Sequence, residues 1–260
     1  MQAIFITGGG SGIGRATAQL FAGRGWRVGL ADVNAAGLAE TAAICGATAS
    51  TYVMDVRDRD AWAAALDAFT GEAGRLDVLF NNAGVPMGGA FEAASFDEID
   101  RTVAINFTGV LNGARIGHAY LAKTPSSCLL NTASASAIYG SAGLATYSAT
   151  KFAVRALTEA LDGEWHRQKI KVRAIVPGFI DTPLLDGAPM GSNRSIRETV
   201  VGAGLELTSA EAVAQAAWDA VHGDRVLTYV GPTAKRLAFA ARWLPGRLRR
   251  MMRRGLDAES

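Results

Sequence analysis

Cysteine, histidine and proline are scarce in this chain. Its 260 residues hold two Cys, three His and seven Pro. Cys45 and Cys128 stand alone, with no second Cys or His at ligand spacing, so a disulfide framework is excluded. Both are read as reduced thiols in or near a core. His118, His166 and His222 are scattered, and no metal site is expected. No apolar run reaches the length needed to span a bilayer. The opening MQAIFITGGG has neither a basic segment nor a cleavage site. It is read as a first strand, not a signal peptide, and a cytoplasmic location is expected. What the chain does have is 49% hydrophobic residues, only 19% charged ones, and 30 Gly. That composition describes a folded α/β domain rich in tight turns or close backbone approaches.

Short β-rich runs alternate with longer helical stretches. Strands are expected at 3–7, 27–32, 50–56, 77–84, 127–134, 171–178 and 225–231. Ala-rich helices are expected at 12–23, 35–45, 58–73, 97–122, 147–168 and 209–222. Strands that are apolar on both faces and separated by helices imply a parallel sheet of about seven strands, covered on both sides. The expected fold is therefore α/β, with one doubly wound Rossmann-type domain over residues 1–233 and a basic extension over 234–260.

The turn after the first strand reads ITGGGSGIGRATAQLF, residues 6–21. Gly8, Gly12 and Gly14 stand where a strand passes into a helix. That context needs residues without a Cβ, a close backbone approach to a pyrophosphate, and tight helix–strand packing. The helix N-terminus offers free N–H groups to phosphate. Asp32 ends the second strand, where its carboxylate could accept from adenosine ribose hydroxyls and repel a 2′-phosphate, favouring NAD over NADP. The alternative reading of Asp32 is a charge at the N-terminus of the next helix. Ser11 occupies the position before Gly12 where a basic residue could have paired with a 2′-phosphate. Arg15 alone does not reverse that inference. Further along, TYSATKFAV places Tyr147 four residues before Lys151, on one helical face. This pair is either a surface Tyr beside a solvated Lys or a phenol whose proton the ammonium makes easier to remove. The spacing alone does not choose.

Taken in order, the motifs resemble the short-chain dehydrogenase/reductase family over nearly all of residues 3–232. They are TGGGSGIG (7–14), Asp55-Val56, NNAG (81–84), Asn106 in AINFTG, Ser134 in NTASAS, YSATK (147–151) and PGFIDTP (177–183). The resemblance implies Tyr147 as acid/base, Lys151 as its activator and ribose ligand, Ser134 as the carbonyl-polarising residue, and Asn106 as the holder of a proton-relay water. Ala133 departs from a common second Ser, which is not the chemical one. A free phenol has a pKa of about 10. The ammonium and a positive nicotinamide are expected to lower it toward the working pH. The resemblance further implies a cofactor site of Gly8, Ser11, Gly12, Ile13, Gly14, Asp32, Asp55, Val56, Asn82, Ala83, Gly84, Tyr147, Lys151, Pro177, Gly178, Ile180 and Thr182. Asn81 is assigned instead to the central sheet.

The substrate pocket is expected around Ser134, Ser136, Tyr139, Tyr147, Phe179 and Leu184, with Met87, Leu185 and Met190 adding apolar surface. No Arg cluster awaits a phosphate, since Arg194 and Arg197 are read as surface decoration. A hydrophobic secondary alcohol or ketone of steroid, retinoid or aliphatic type is the expected substrate, with 183–205 as a mobile lid. The competing function is a non-catalytic NAD sensor or membrane-attached scaffold, which should have lost Tyr147 or Lys151. A homodimer or homotetramer through helices 97–122 and 147–168 is expected from the resemblance. The extension is the other asymmetry. Residues 235–260 carry eight Lys/Arg against Asp257 and Glu259, a net +6, so the remainder is net −4. Leu237, Ala241, Leu244, Leu248, Met251 and Leu256 form a stripe, with Arg opposite and Pro245 able to start a second helix. Packing onto the body and contact with an anionic membrane both remain open. Nucleic acid is not expected, because no reader motif is present and the body is acidic.

Overall fold

The computed structural model describes residues 1–182, 185–187, 195–202 and 204–257, with side chains through Met252. Five strand–helix units set the frame. Strand β1 (Ala3–Thr7) feeds α1 (Gly12–Gly23), β2 (Arg27–Asp32) feeds α2 (Ala35–Cys45), and β3 (Ala49–Val53) feeds α3 (Arg59–Ala73). Then β4 (Val78–Asn81) leads through α4 (Phe96–Val103) and α5 (Gly109–Leu121) to β5 (Cys128–Thr132) and α6 (Ala145–Trp165). The chain continues with β6 (Lys171–Pro177), β7 (Phe179–Asp181), α7 (Ile196–Gly202), β8 (Leu207–Ser209), α8 (Ala210–His222), β9 (Leu227–Val230), α9 (Gly231–Trp243) and α10 (Pro245–Asp257).

Seven strands form one parallel sheet in the order β3-β2-β1-β4-β5-β6-β9. The order reverses beside β1, which lies between β2 and β4, and a crevice opens at the carboxyl ends of the strands at such a point. The helices cover both faces. One core holds Ile4, Ile6, Leu30, Phe80 and Leu130 against α1 and α8, and the opposite core holds Phe5, Leu79 and Leu129 against α3 and α5. Strand residues buried on both faces explain why the strands read as unbroken apolar runs. Cys128 is buried and Cys45 half-buried, both as free thiols. Asn81 stays within the sheet as expected, donating to Val110 O and Asn131 Oδ1.

Three features differ from the sequence reading. The helix expected over 97–122 is interrupted by a π-turn at Ala104–Thr108, which brings Asn106 to the backbone of Val85. A separate two-stranded sheet of β7 and β8 closes the base of the segment between Thr182 and Glu206. Strands of three residues are too short for a sequence period to reveal. The expected boundary at 233/234 falls inside α9. That helix starts at Gly231 and Pro232, buries Ala234, and packs Leu237, Ala238 and Ala241 on the body. Charge composition changes at this point, but the apolar period does not. The lid expected at 183–205 lies partly outside the described residues, as do Leu184, Met190 and Arg194. Its described part contains α7, tied down by Arg197 to Asp181 and Asp186.

Candidate active site

The glycine turn is built from its backbone. Gly8 has φ +68° and Gly12 φ +51°, a region that side chains with a Cβ rarely adopt. Gly14 serves packing. A Cβ there would lie 2.1 Å from Gly8 O, so α1 can approach β1 only without one. Ser11 is the N-cap residue of α1 but makes no side-chain capping bond. The N–H of Gly10 donates to Asp32 Oδ2 and that of Asn34 to Asp32 Oδ1, each at 3.0 Å. Asn34, not Asp32, is the N-cap of α2 and accepts from Gly37 N–H, but Asp32 also lies at that helix N-terminus through its bond from Asn34 N–H, so both readings of its charge fit the geometry. Asp32 ties the turn to the end of β2 and borders the cleft. Arg15 is committed elsewhere, donating to Gly10 O, Thr41 and Glu40.

At the other end of the crevice, β5 delivers Ser134 and α6 delivers Tyr147 and Lys151. Ser134 has an extended backbone, and its Oγ accepts from Ser136 N–H at 3.2 Å. Lys151 is 4% exposed and its Nζ donates to Thr132 O at 2.9 Å. That Nζ lies 5.7 Å from the centre of the Tyr147 ring. The surface-pair reading therefore fails: the ammonium is buried and held over the phenol. The expected electrostatics also need correction. In the protein itself, burial raises the Tyr147 pKa above its usual value, and the Ser134 hydroxyl beside it only partly opposes that rise. Burial also lowers the Lys151 ammonium to about 8. Desolvation outweighs the attraction that spacing suggested, with Lys151 buried and Tyr147 half-buried at the cavity wall.

Asn106 is fully buried. Its Oδ1 accepts from Val85 N–H at 2.8 Å and its Nδ2 donates to Val85 O at 2.9 Å. A Cβ at Gly84 would meet Asn106 Oδ1 at 3.2 Å and Lys151 Nζ at 3.7 Å. Asn106 therefore clamps the irregular segment after β4 that runs past the lysine.

These parts enclose one cavity of about 620 Å³. Its wall includes every expected cofactor residue except Gly14, which is buried behind it, together with Ser134, Ser136, Tyr147 and Phe179. Asn106 and Tyr139 lie off the wall. The 3₁₀ turn Ala135–Ala137 buries Ser136 and carries the chain past the cavity before Tyr139. Sequence reasoning missed Arg57, which reaches the rim paired to Asp55 through several hydrogen bonds. That pairing holds the Asp55 carboxyl below its usual pKa. The sequence carried a signal, since Arg57 follows Asp55 by two residues. Met54, Thr132, Leu144 and Ile196 were missed as well, and Leu185, expected, lies on the wall. No cluster of three or more metal-ligating side chains occurs among the described residues.

The wall suits a dinucleotide. One end offers a glycine turn at a helix N-terminus beside a carboxylate, and the other a Ser–Tyr–Lys set in which Ser134 and Lys151 are buried and Tyr147 half-buried. Placed at the switch point of a parallel sheet, that arrangement calls for comparison with known proteins, and the family model for short chain dehydrogenase matches residues 2–190. The chain belongs to the short-chain dehydrogenase family. As an oxidoreductase of that family it is 31% identical over 258 residues to the Mycobacterium tuberculosis protein SadH, named an oxidoreductase, covering 96% of this chain and 94% of that one. It is 36% identical to levodione reductase of Leifsonia aquatica over 193 residues, 72% of each chain. Among solved structures, a 3-ketoacyl-(acyl-carrier-protein) reductase from Brucella melitensis complexed with NADH superposes with a TM-score of 0.81 at 30% identity. That match covers 90% of this chain and 98% of that one.

Proposed function

We propose that this oxidoreductase uses NAD(H) and interconverts a hydrophobic secondary alcohol and its ketone. The observation that carries the reading is the convergence of Ser134, Tyr147 and Lys151 at the end of the cavity opposite Asp32, beside apolar Val85, Met87, Phe179 and Leu185. When bound, the nicotinamide supplies a hydride acceptor or donor. The remaining work falls to the chain. The Gly8–Gly14 turn and the start of α1 receive the pyrophosphate. Asp32 accepts from the adenosine ribose and disfavours a 2′-phosphate, so NAD is preferred to NADP. Lys151 faces the second ribose. In oxidation the Tyr147 oxygen takes the hydroxyl proton, and in reduction the Tyr147 hydroxyl returns it to the carbonyl oxygen. The Ser134 hydroxyl donates to that same oxygen as its charge changes. Asn106 fixes the Val85 backbone beside Lys151, and a water on this path would carry the proton outward.

The non-catalytic reading finds no support here, because Tyr147 and Lys151 are both present on the cavity wall, Lys151 buried and Tyr147 half-buried. Association of copies through α4–α5 and α6 is part of the proposal. Val103, Leu111 and Phe152 on those helices are exposed apolar side chains. The deciding experiment follows nicotinamide absorbance with NAD or NADP across steroid, retinoid, cyclic and aliphatic alcohols and ketones. Turnover that disappears in Tyr147→Phe, with NAD binding retained, is expected. Turnover that persists in that variant would remove Tyr147 as the acid/base.

A further inference from the structure

Helices α9 and α10 present a face that the catalytic reading does not use. Between Arg225 and Leu256 the chain has no Asp or Glu. Around α9 the inward positions are Ala234, Leu237, Ala238 and Ala241, a helical period that joins the core under the catalytic strands. The outward positions on the same helix are Phe239 and Trp243, 60% and 62% exposed, flanked by exposed Lys235, Arg236 and Arg242. After Leu244, α10 folds back on α9 and buries Leu248. That leaves Met251 outward among exposed Arg247, Arg249 and Arg250. Among the described residues none of these six cations pairs with a carboxylate, whereas Arg197, Arg173 and Arg155 elsewhere all do.

We propose that the α9–α10 face docks on an anionic membrane surface. Two aromatic rings one turn apart, ringed by unpaired cations and backed by a packed inner face, match the chemistry of an interfacial helix pair: apolar groups enter the headgroup boundary and cations meet phosphates. A second copy is the less suited occupant. Two copies of this face would bring six cations with no carboxylate partner against six more, and like charges facing each other oppose such an interface, whereas anionic headgroups complement them. The position of the helices adds a consequence. α9 springs from the carboxyl end of β9 and packs on the 3₁₀ turn after Ser134. Its Ala234 N lies 3.8 Å from where a Cβ on cavity-lining Gly178 would be. The inner side of α9 thus borders the cavity wall at Gly178 while its outer side is the docking face, so docking would hold the cavity one helix away from the bilayer surface. That the cavity is catalytic rests on the proposed oxidoreductase reading, whereas the docking does not.

The test is sedimentation of the full chain with vesicles of phosphatidylcholine alone or mixed with phosphatidylglycerol. Binding to the anionic vesicles only, weakened at high salt, is expected. Phe239→Ser with Trp243→Ser, and separately Arg247→Glu with Arg250→Glu, should each reduce bound protein at least tenfold. Melting temperature and turnover of a soluble substrate should remain those of the parent. Absence of sedimentation with anionic vesicles overturns the proposal, as does sedimentation that survives both double variants. A parent oligomer that falls apart in the Phe239/Trp243 variant also overturns it, by assigning the face to a second copy. Because sedimentation needs no catalysis, loss of docking and loss of the enzymatic reading are separable.

Discussion

On the proposed reading Asp32 decides between NAD and NADP, and its effect can be sized. Its carboxylate borders the cavity where the adenosine ribose would lie, and its two oxygens are oriented by the N–H groups of Gly10 and Asn34. A 2′-phosphate with about two negative charges would sit about 5 Å away. The repulsion is then roughly 2 kcal/mol with water-like screening and about 6 kcal/mol at an effective dielectric of about 20. Asp32 is half-exposed beside exposed Val33, and that access to solvent argues for the lower figure. About 2 kcal/mol corresponds to a roughly 30-fold tighter Kd for NAD than for NADP. Asp32→Asn keeps the shape and one of the two backbone bonds but removes the charge. Calorimetric titration of both cofactors should show the ratio falling about tenfold or more. The lost hydrogen bond should cost about 0.5–1.5 kcal/mol of stability. A parent ratio near unity, or an unchanged ratio in Asp32→Asn, would refute the assignment.

Two other perturbations test the frame around this site. Gly14→Ala puts a Cβ 2.1 Å from Gly8 O, so the glycine turn must move. A stability loss of about 1–3 kcal/mol by denaturant unfolding, with markedly weaker NAD binding, is expected, and a neutral result would contradict the packing. Lys151 tests burial through pH. Its folded pKa, about 8, lies below the unfolded value of 10.5, so the charged form is penalised at low pH and the penalty fades as pH rises from about 8 toward 10.5. Relative to Lys151→Met, the parent should gain about 2 kcal/mol of stability between about pH 7.5 and about pH 9.5, read as a shift in denaturation midpoint. A flat difference would mean that the ammonium is solvated.

Legibility in the sequence followed the range of the interactions involved. Helices at 12–23 and 35–45 coincide with α1 and α2, because the Gly turn and Asn34 mark their starts locally. The seven sheet strands were visible as apolar runs. The runs at 3–7 and 27–32 coincide with β1 and β2, whereas those expected to end at 56, 84 and 134 run past the ends of β3, β4 and β5, since the chain there continues beyond the last ladder bond into the cavity wall. The π-turn at Asn106 was not legible. Only Val85, 21 residues away in sequence, gives the widened turn its purpose. Tyr139, expected at the substrate pocket from its place near Ser134, is not among the residues lining the cavity. The start of the C-terminal extension was inferred from the onset of Arg, while the inward face of α9 continues the core pattern unbroken.

The catalytic pair shows where spacing and burial give different answers. Four residues on a helix bring Tyr147 and Lys151 to one face, and from that alone the cation should stabilise the phenolate. Burial acts on both partners in the opposite sense, raising the phenol and lowering the ammonium. Lys151 remains largely protonated at neutral pH, but its nearest acceptor is Thr132 O rather than the phenol oxygen. The chain's own electrostatics therefore keep the proton on Tyr147, the state required to protonate a carbonyl oxygen in reduction. Oxidation needs the phenolate, and only a further positive charge near the ring, or higher pH, can supply it. On the proposed reading, removal of a substrate hydroxyl proton by Tyr147 would therefore require the cationic ring of the oxidised cofactor nearby or a higher pH, whereas the reducing direction would start from the protonated phenol that burial already favours.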